Sequence, residues 1–375
     1  MAGRGWYRGL VALAVLATAT SVSRAGYEIT DLGALSGGAG TSQGSAVNAG
    51  GFVTGSATTN AGETHGFLYN PATGELTDLG SGPGGAGAGT AVNAGGTVVG
   101  SATVAGGQTH AFKFASGQAT DLGSGAGSIG SYANGINDSG VIVGTSILPQ
   151  GVTHAFAVDT LGKVNDLGTF GAYGAQANGI NASGVVVGSV QYSSGVTHAY
   201  RVVLGGGIQD LGGLSGANSL SYGLAINNAG EVVGYGGTAD SPRAFRTLPD
   251  GTMQDLGTLP GSIRGEANAV NNFGQIVGTS VYNAGASQAF YFSDRTGLFN
   301  LSQSLVNGQG WDVKTATGIN DFGQITGNGV YNGAAHAFLL TPVLTAVPEP
   351  SSLLLTGLGF LGLLAIRVQF RCPVT

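Results

Sequence analysis

The sequence predicts an all-β fold, a seven-bladed β-propeller with four-stranded blades, and three observations lead to this prediction. An Asn-led motif recurs seven times at nearly constant spacing, each repeat holds four short strand-like segments, and the two ends of the repeat array complement each other. The composition agrees, because 72 Gly among 375 residues are too many for a helical protein. A hydrophobic share of 42% is too high for a disordered chain.

The recurring motif is a turn led by Asn and followed by an apolar strand, as in "INDSGVIVG" at 136–144. Its Asn recurs at intervals of 45, 44, 44, 46, 44 and 49 residues, at Asn48, Asn93, Asn137, Asn181, Asn227, Asn271 and Asn320. One Gly stands three residues after each Asn, and a second stands seven residues after it. Asn favours the start of a type I turn and Gly at its fourth position accepts a positive φ, so each copy predicts a bulged hairpin.

Two further motifs recur once in each unit. A His-Ala-Phe triplet or a variant of it starts at positions 65, 110, 154, 198, 243, 288 and 336. Asp-Leu-Gly starts at 31, 78, 121, 166, 210 and 255, and Asn-Leu-Ser at 300 takes the seventh place. Four strand-like segments in about 45 residues match the period of a propeller blade. Because a lone four-stranded sheet cannot cover its own faces, such units must stack around an axis.

The strand that precedes each Asn is predicted to line a central channel. Val or Ile stands immediately before every Asn, and the positions two and four before it are always Gly or Ala. Strands with branched side chains on one face and almost none on the other fit the crowding around such a channel. The residue five positions after Asn is always Val or Ile and is expected to be buried, while the residue before it varies and is expected to be partly exposed.

The ends of the array predict how the ring closes. Residues 27–33, "YEITDLG", form a fourth strand without the first three, and the array ends on a third strand, "HAFLLTP", without a fourth. Pairing of residues 27–33 with 336–341 would complete the seventh blade. A β-solenoid is the alternative fold, but it would need capping units instead of complementary half-blades.

The repeat "DLGTF…ANGINASGVVVGSV…GVTHAY" resembles the HAF repeat of extracellular bacterial proteins, and the resemblance covers residues 27–341. It implies export and a propeller-like fold, and it implies no activity. We therefore expect residues 26–343 to form one propeller of seven HAF-type repeats.

Residues 1–25 have the features of a signal peptide. Two arginines precede the apolar run "GLVALAVLATA", and Ser23 and Ala25 are the small residues that a signal peptidase requires. Cleavage is expected between Ala25 and Gly26. An N-terminal membrane anchor is the alternative, but the run is short for a bilayer span.

A linker, residues 344–350, and a hydrophobic segment, residues 351–375, follow the repeats. The uncharged stretch 353–366 would be about 21 Å long as a helix, which is marginal for spanning a bilayer. The basic residues behind it, Arg367 and Arg371, favour the cytoplasmic side of a membrane. The physical properties alone therefore predict a short tail anchor.

Pro348, Glu349 and Pro350, followed by the apolar segment and the terminal arginines, resemble the PEP-CTERM sorting tail. The resemblance implies recognition by an exosortase, a membrane-embedded enzyme similar to cysteine transpeptidases. Release or transfer at the surface of a Gram-negative bacterium that makes exopolysaccharide would follow. Contact with the membrane is then expected only through the C-terminal segment before processing.

The charge of the mature chain limits the class of partner. Without residues 1–25 and those after Pro350, 8 basic and 19 acidic residues remain, a net charge of 8 − 19 = −11. Such a charge argues against nucleic acid and anionic membrane surfaces. The single cysteine, Cys372, lies in the tail, so neither a disulfide nor thiol chemistry is predicted for the propeller.

The recurring His and Asp residues are candidate site residues, and a structural role is the favoured interpretation. They are His65, His110, His154, His198 and His336, with Asp31, Asp78, Asp121, Asp166, Asp210 and Asp255. A hairpin about Ser116 and Gly117 would bring Asp121 diagonally against His110, where a hydrogen bond could join the third strand to the fourth. Where Gln288 replaces His, Asn300 replaces Asp, which keeps a hydrogen-bonding pair.

Independent, solvent-facing histidines and a metal or catalytic site are the alternatives to this interpretation. Repeat symmetry spreads equivalent residues around a ring, which disfavours a cluster with metal-ligand spacing. No catalytic residue, cofactor or metal is predicted.

The predicted function is that of a non-enzymatic binding or scaffold protein at the cell surface or in a biofilm matrix. Signal peptidase and exosortase are the processing partners, and an exopolysaccharide or a surface protein is the predicted ligand of loops that carry Tyr192, Tyr235 and Tyr282. The alternative is a polysaccharide-active enzyme on a propeller scaffold. Its carboxylates would be sought among the acids outside the repeat symmetry, which are Glu63, Asp240, Glu266 and Asp312.

Overall fold

The computed structural model describes residues 26–343 apart from 38–39, 83–84, 124, 126, 193–194, 217–218 and 239. These residues belong to one compact unit and form seven four-stranded antiparallel sheets. Three 3₁₀ turns, at Pro149–Gly151, Asn283–Gly285 and Leu301–Ser304, are the helical elements among them. The described part of the chain contains no helix with the length and apolar character of a membrane span.

Each blade is built from consecutive strands. Blade 1 contains β2 (Ser42–Val47), β3 (Val53–Thr58), β4 (Thr64–Asn70) and β5 (Glu75–Gly80). Blade 2 contains β6 (Gly87–Val92), β7 (Val98–Thr103), β8 (Thr109–Ala115) and β9 (Gln118–Gly123). Blade 3 contains β10 (Gly130–Ile136), β11 (Ile142–Ile147), β12 (Thr153–Val158) and β13 (Val164–Gly168). Blade 4 contains β14 (Gly174–Ile180), β15 (Val185–Gln191), β16 (Thr197–Val203) and β17 (Gln209–Asp210).

The remaining three blades complete the ring. Blade 5 contains β18 (Leu220–Ile226), β19 (Val232–Thr238), β20 (Ser241–Thr247) and β21 (Met253–Gly257). Blade 6 contains β22 (Arg264–Val270), β23 (Ile276–Val281), β24 (Ser287–Ser293) and β25 (Gly297–Asn300). Blade 7 contains β26 (Trp311–Ile319), β27 (Ile325–Tyr331), β28 (Ala334–Val343) and β1 (Gly26–Asp31).

Blade 7 is shared between the two ends of the described chain. β1 pairs with β28 in antiparallel register from Gly26 opposite Val343 to Asp31 opposite Phe338. β2 of blade 1 in turn packs against β27, so the seven blades form a closed ring. The predicted seven-bladed propeller is therefore confirmed, and the β-solenoid alternative is wrong.

The two glycines of the Asn-led motif meet different backbone requirements. The first lies in the turn with a positive φ, from 68° at Gly274 to 86° at Gly140, a conformation that strains residues with a side chain. The second faces a β-bulge of the preceding strand. A Cβ added to Gly144 would lie 2.1 Å from the carbonyl oxygen of Tyr132 and 2.5 Å from the ring of Phe156. The close approach of backbone and aromatic ring leaves room for glycine alone.

The hydrophobic core is distributed between neighbouring blades. The branched residue five positions after each Asn is at most 2% exposed, as predicted from the repeat. The aromatic residue of the His-Ala-Phe motif is buried in every blade, at Phe67, Phe112, Phe156, Tyr200, Phe245, Phe290 and Phe338. Burial of one such side chain contributes roughly 1.5–3 kcal/mol. Tyr200 shares a cluster with Val143 of blade 3, and Phe290 shares one with Val233 of blade 5, so neighbouring blades stabilise each other.

Candidate functional site

The seven motif asparagines form a closed circle of hydrogen bonds around the channel. In each blade, Nδ2 of the Asn donates to the backbone oxygen of the corresponding Asn in the next blade. The seven donor–acceptor distances are 2.9 Å (Asn48 to Asn93), 3.3 Å (Asn93 to Asn137), 3.2 Å (Asn137 to Asn181), 3.1 Å (Asn181 to Asn227), 3.1 Å (Asn227 to Asn271), 3.0 Å (Asn271 to Asn320) and 2.9 Å (Asn320 to Asn48). We call this set the Asn ring.

Each side chain of the Asn ring also holds its own turn. Oδ1 of Asn181, for example, accepts from the backbone N–H of Ser183 at 3.1 Å and of Val185 at 2.9 Å. The ring residues are only 4–8% exposed, so their amides need these partners. The sequence indicated the turn role and missed the link between blades. The available signal was that Asn occupies this position in all seven repeats, whereas the His position varies.

The Asn ring lies at the mouth of the channel, where a cavity of about 210 Å³ opens. Oxygens of the next residue in four blades also bridge to the preceding blade. Asp138 accepts from the backbone N–H of Ala94 at 2.8 Å, and Asp321 accepts from that of Asn272 at 2.8 Å. One oxygen of each of these two carboxylates thus binds a backbone donor of the preceding blade. Within the described ranges, no group of three or more His, Cys, Asp or Glu residues is placed to hold a metal ion.

The structure places each predicted histidine against the aspartate of its own blade. Nδ1 lies 2.9 Å from the carboxylate in His65–Asp78 and His110–Asp121, 3.0 Å in His154–Asp166 and His198–Asp210, and 2.8 Å in His336–Asp31. The aspartates also accept from a backbone N–H two residues later, at 2.7 Å for Gly168. Each pair therefore joins the third and fourth strands of a blade. The His336–Asp31 pair joins strands 305 residues apart.

The two remaining blades have substitute pairs at the same place. In blade 5, Arg243 Nε donates to Asp255 at 2.6 Å. In blade 6, the amide of Asn300 donates to Gln288 Oε1. A charged pair and a neutral pair thus make the same connection between the third and fourth strands. The five histidines lie on separate blades, each against its own aspartate.

Of the three tyrosines predicted on loops, Tyr192 and Tyr282 follow the ends of β15 and β23, whereas the prediction is wrong for Tyr235, which lies within β19. All three make contacts within the protein. The hydroxyl of Tyr192 donates to Asp210 at 2.8 Å, and that of Tyr282 donates to Gln288 at 3.3 Å. Tyr235 stacks on Tyr222 with ring centroids 4.7 Å apart. Burial and the adjacent carboxylate of Asp210 raise the pKa of Tyr192 to about 12.

The four acids outside the repeat symmetry, which were the candidate carboxylates of an enzyme, lie at four separate positions in the ring. Glu63 reaches His65 Nε2 at 3.3 Å in blade 1, and Asp312 pairs with Lys314 in blade 7. Asp240 is exposed in a turn of blade 5. Burial raises the pKa of Glu266, in blade 6. The structure does not bring these four acids together.

A groove of about 500 Å³ departs from the repeat symmetry between blades 5 and 6. It opens on the end of the ring that carries the Asn-led turns and the turns between third and fourth strands, which we call the turn face. Its walls include Arg201 of blade 4, Glu231 and Arg246 of blade 5, and Phe273 and Asp294 of blade 6. We call this feature the blade 5–6 groove.

Arg246 is the centre of a charge network in this groove. Its guanidinium binds both carboxylate oxygens of Asp294, at 2.5 and 3.2 Å, and lies 3.5 Å from Glu231 Oε1. Its Nε donates to Gln254 at 2.7 Å, and the ring of Phe292 lies 5.3 Å away. Arg246 is 9% exposed. Its low exposure and these five interactions hold the guanidinium in one orientation.

Glu231 connects the blade 5–6 groove to the Asn ring. Its Oε2 accepts from Asn227 Nδ2 at 3.0 Å. Burial raises the pKa of Glu231 above its usual value, although the positive charge of Arg246 opposes the shift. The carboxylates of Glu231 and Asp294 thus share one guanidinium, and they differ in solvent exposure, with side chains 17% and 75% exposed.

This network was not predicted from the sequence, although the repeats contain the signal. At the position of Arg246, the other blades have Leu68, Lys113, Ala157, Arg201, Tyr291 and Leu339. At the position of Glu231, they have Phe52, Thr97, Val141, Val185, Gln275 and Gln324. Blade 5 alone combines an Arg with a Glu. Only the packing of blade 5 against blade 6 shows that these two residues meet Asp294.

Comparison with known proteins identifies the C-terminal tail. Residues 346–371 match the PEP-CTERM protein-sorting motif, which marks an exported protein that exosortase sorts to the cell surface in Gram-negative bacteria. The matched segment, with Pro348, Glu349 and Pro350, lies outside the residues that the structure describes, as does Ala25 at the expected signal-peptide cut. Among curated proteins, none matches the chain.

Solved structures share the propeller fold at low identity. A puromycin-hydrolysing peptidase from Mycobacterium tuberculosis is 13% identical with a TM-score of 0.53, over 82% of this chain and 52% of that one. A prolyl endopeptidase is 11% identical with a TM-score of 0.52, over 85% and 51%. The propeller domain of the Trilobed protease from Pyrococcus furiosus, which has an open velcro topology, is 8% identical with a TM-score of 0.50, over 84% and 95%.

The chain spans between 52% and 62% of the length of the first solved structures it matches. At these identities the likeness shows the fold alone.

Proposed function

We propose that this exported propeller is a non-enzymatic binding or scaffold protein of the cell surface or the extracellular matrix. Signal peptidase would release residues 1–25, and exosortase would process the tail near Pro348–Pro350 while its apolar segment holds the chain in the membrane. The repeats would make it a member of the HAF-repeat proteins. Its partner would be an exopolysaccharide or a surface protein of the producing cell.

One observation carries the proposal. The side chains that recur from blade to blade, those of the Asn ring and of the His–Asp pairs, hydrogen-bond within the fold. Repetition in this protein therefore serves stability, and groups that meet a partner are expected where repeats differ, on the loops and turns of a rigid ring.

A polysaccharide-active enzyme is the second candidate, and the blade 5–6 groove is the observation that favours it. Two carboxylates in one groove, one of them partly buried with a raised pKa, are the kind of pair that glycosidic hydrolysis requires. The oxygens of both carboxylates are, however, bound within the protein by Arg246 and Asn227, whereas glycosidic hydrolysis needs two carboxyl groups that face the scissile bond. Binding without turnover is therefore the function we propose.

The test of the proposal combines processing and activity. The intact mass of protein recovered from the surface of the producing cell is expected to show cuts after Ala25 and near Pro348–Pro350. Incubation of the purified chain with exopolysaccharide of the host is expected to release no new reducing ends. A recovered chain that keeps both terminal segments would contradict the processing part. Turnover that disappears in Glu231→Gln would contradict the non-enzymatic part.

A further inference from the structure

We infer that the blade 5–6 groove binds an uncharged sugar residue of a polysaccharide. This inference rests on the proposed binding function and names its ligand class and its site. The groove has the size of a ligand site, since about 500 Å³ lies within the range of pockets that enclose small molecules. Its polar groups converge from three consecutive blades, so a ligand in it contacts side chains whose positions are fixed by the ring.

The polar groups of the groove are pre-organised for hydroxyl groups. Arg246 is held by two carboxylates, by Gln254 and by the ring of Phe292. The carboxylate of Asp294 is bound by Arg246 on one side, and its side chain is 75% exposed. Its outward lone pairs can accept from adjacent hydroxyls of a sugar, and charged hydrogen bonds of this type are stronger than neutral ones.

Arg201 supplies donors at the other side of the groove. Its Nε donates to Gln209 at 2.7 Å and its Nη1 to the backbone oxygen of Gly230 at 3.2 Å. These two bonds use two of the five N–H groups of a planar guanidinium that lines the groove. Hydrogen bonds to a ligand from such a group cost little conformational entropy.

Phe273 supplies the apolar surface that a sugar ring needs. It is the third residue of the blade 6 turn, stands at the rim of the groove and is 73% exposed. The C–H face of a hexose can cover such a ring, which otherwise stays in water. A single ring is much smaller than the several hundred Å² of a protein-docking patch, so a sugar fits the site better than a protein surface.

The charge balance indicates a neutral sugar. Arg201 and Arg246 are matched by Glu231 and Asp294, so the groove has no net charge. To reach Arg246, an anionic sugar would have to displace Asp294 from its paired bonds with that guanidinium. At Arg201 it would lie in the same groove as the carboxylates of Glu231 and Asp294. It would also approach a chain with a net charge of −11 over residues 26–350, which repels polyanions at a distance.

The matched pair of exposed phenylalanines allows a direct test. Phe322 has the same place in the blade 7 turn and is 72% exposed, but it lies outside the groove. The full chain is purified in detergent, and hexasaccharides of neutral glucan, galactan and mannan are titrated by calorimetry. At least one is expected to bind. Phe273→Ala is expected to weaken that binding at least tenfold, Asp294→Asn to weaken it severalfold, and Phe322→Ala to leave it within twofold.

Several results would overturn the inference. These are no binding of any neutral hexasaccharide, equal losses from Phe273→Ala and Phe322→Ala, or preferential binding of polygalacturonate that is abolished at 0.5 M salt. Failure of binding leaves export and processing intact, because those are read from the intact mass. Release of reducing ends that requires Phe273 would support the sugar site and contradict the non-enzymatic function.

Discussion

The Asn ring and the blade 5–6 groove lie side by side on the turn face and follow opposite rules. In the ring, one residue type occupies the same position in all seven blades, and each side chain bonds to the next blade. In the groove, Arg246 and Glu231 occupy positions that hold Leu, Lys, Ala, Val, Thr or Gln in most other blades. Asn227 belongs to the ring and also binds Glu231 of the groove.

This difference separates the requirements of the fold from the features added to it. A ring of identical blades needs an identical joint at each interface, because a missing joint would leave a buried carbonyl without its partner. A ligand site needs residues that differ from those of the other blades, since a single ligand binds at one place on the ring. In a repeat protein, departure from the repeat is therefore a better guide to a binding site than the repeat itself.

The largest expected effect comes from breaking the ring. Asn181→Ala removes the bond to Asn227 and leaves two turn N–H groups without their acceptor. Since each buried polar group that loses its partner costs about 1–3 kcal/mol, we expect a loss of about 3–4 kcal/mol in the free energy of unfolding. Urea unfolding measures it. Ser183→Ala, in the exposed part of the same turn, is the control and is expected to change stability by less than about 0.5 kcal/mol.

A loss for Asn181→Ala as small as that of its control would show that the ring is dispensable. The recurring Asn would then contribute no more to stability than an exposed residue of the same turn.

The next largest effect is expected in the groove, where the ion pair of Arg246 with Glu231 contributes to the free energy of unfolding. Arg246→Met leaves the partly buried Glu231 without its cation, and we expect a loss of about 2–3 kcal/mol in the free energy of unfolding. The double variant Arg246→Met, Glu231→Gln is expected to recover part of it, because the partly buried charge of Glu231 is then removed as well. Lys113→Met, at the same repeat position in blade 2, is the control and should change little. Equal losses in Arg246→Met and Lys113→Met would contradict the role of the ion pair.

The fold could be predicted from the sequence because its determinants are local and repeated. Spacing along the chain was enough to predict the positive φ of the first glycine and the burial of the branched residue five positions after Asn. It was also enough to predict that the two ends of the array complement each other. The pairing of β1 with β28 was predictable for the same reason, since the Asp-Leu-Gly and His-Ala-Phe motifs must balance.

The groove and the link between blades could not be predicted in the same way. The groove and the Asn ring both depend on the orientation of each blade relative to the next. That orientation decides whether Asn181 reaches residue 227 and whether Arg246 reaches Asp294. The sequence shows which residue types are present at those positions, but the distances across an interface come from the packing of the aromatic rings between blades. Of the four acids that depart from the repeat and were predicted as candidate carboxylates, Glu63 and Asp312 bind neighbours in their own blades. Asp240 and Glu266 do not line the groove either.

A smaller effect is expected from the His–Asp pairs, and blade 6 provides the variant to compare. His154→Ala removes the bond to Asp166 in a partly exposed pair, and we expect a loss of about 1 kcal/mol in the free energy of unfolding and a lower melting temperature. The double variant His154→Gln, Asp166→Asn installs the pair of blade 6 and is expected to lose less than about 0.5 kcal/mol. Calorimetry measures both. Loss of a bound zinc ion from His154→Ala without a change in stability would refute the structural role.

The smallest expected effect is a dependence of the free energy of unfolding on pH, caused by Asp210 in blade 4. Burial acts to raise the pKa of Asp210, but hydrogen bonds from His198, the backbone of Gly212 and Tyr192 outweigh it, and the pKa is lowered. A carboxyl whose pKa is lower in the folded state stabilises the fold above its unfolded pKa, which is about 3.9, and this stabilisation disappears as the pH falls further. The free energy of unfolding is therefore expected to decline below about pH 4, and less steeply in Asp210→Asn. Tyr192→Phe removes one of the three bonds and should give an intermediate slope, whereas identical slopes in all three proteins would show that Asp210 does not respond to its partners.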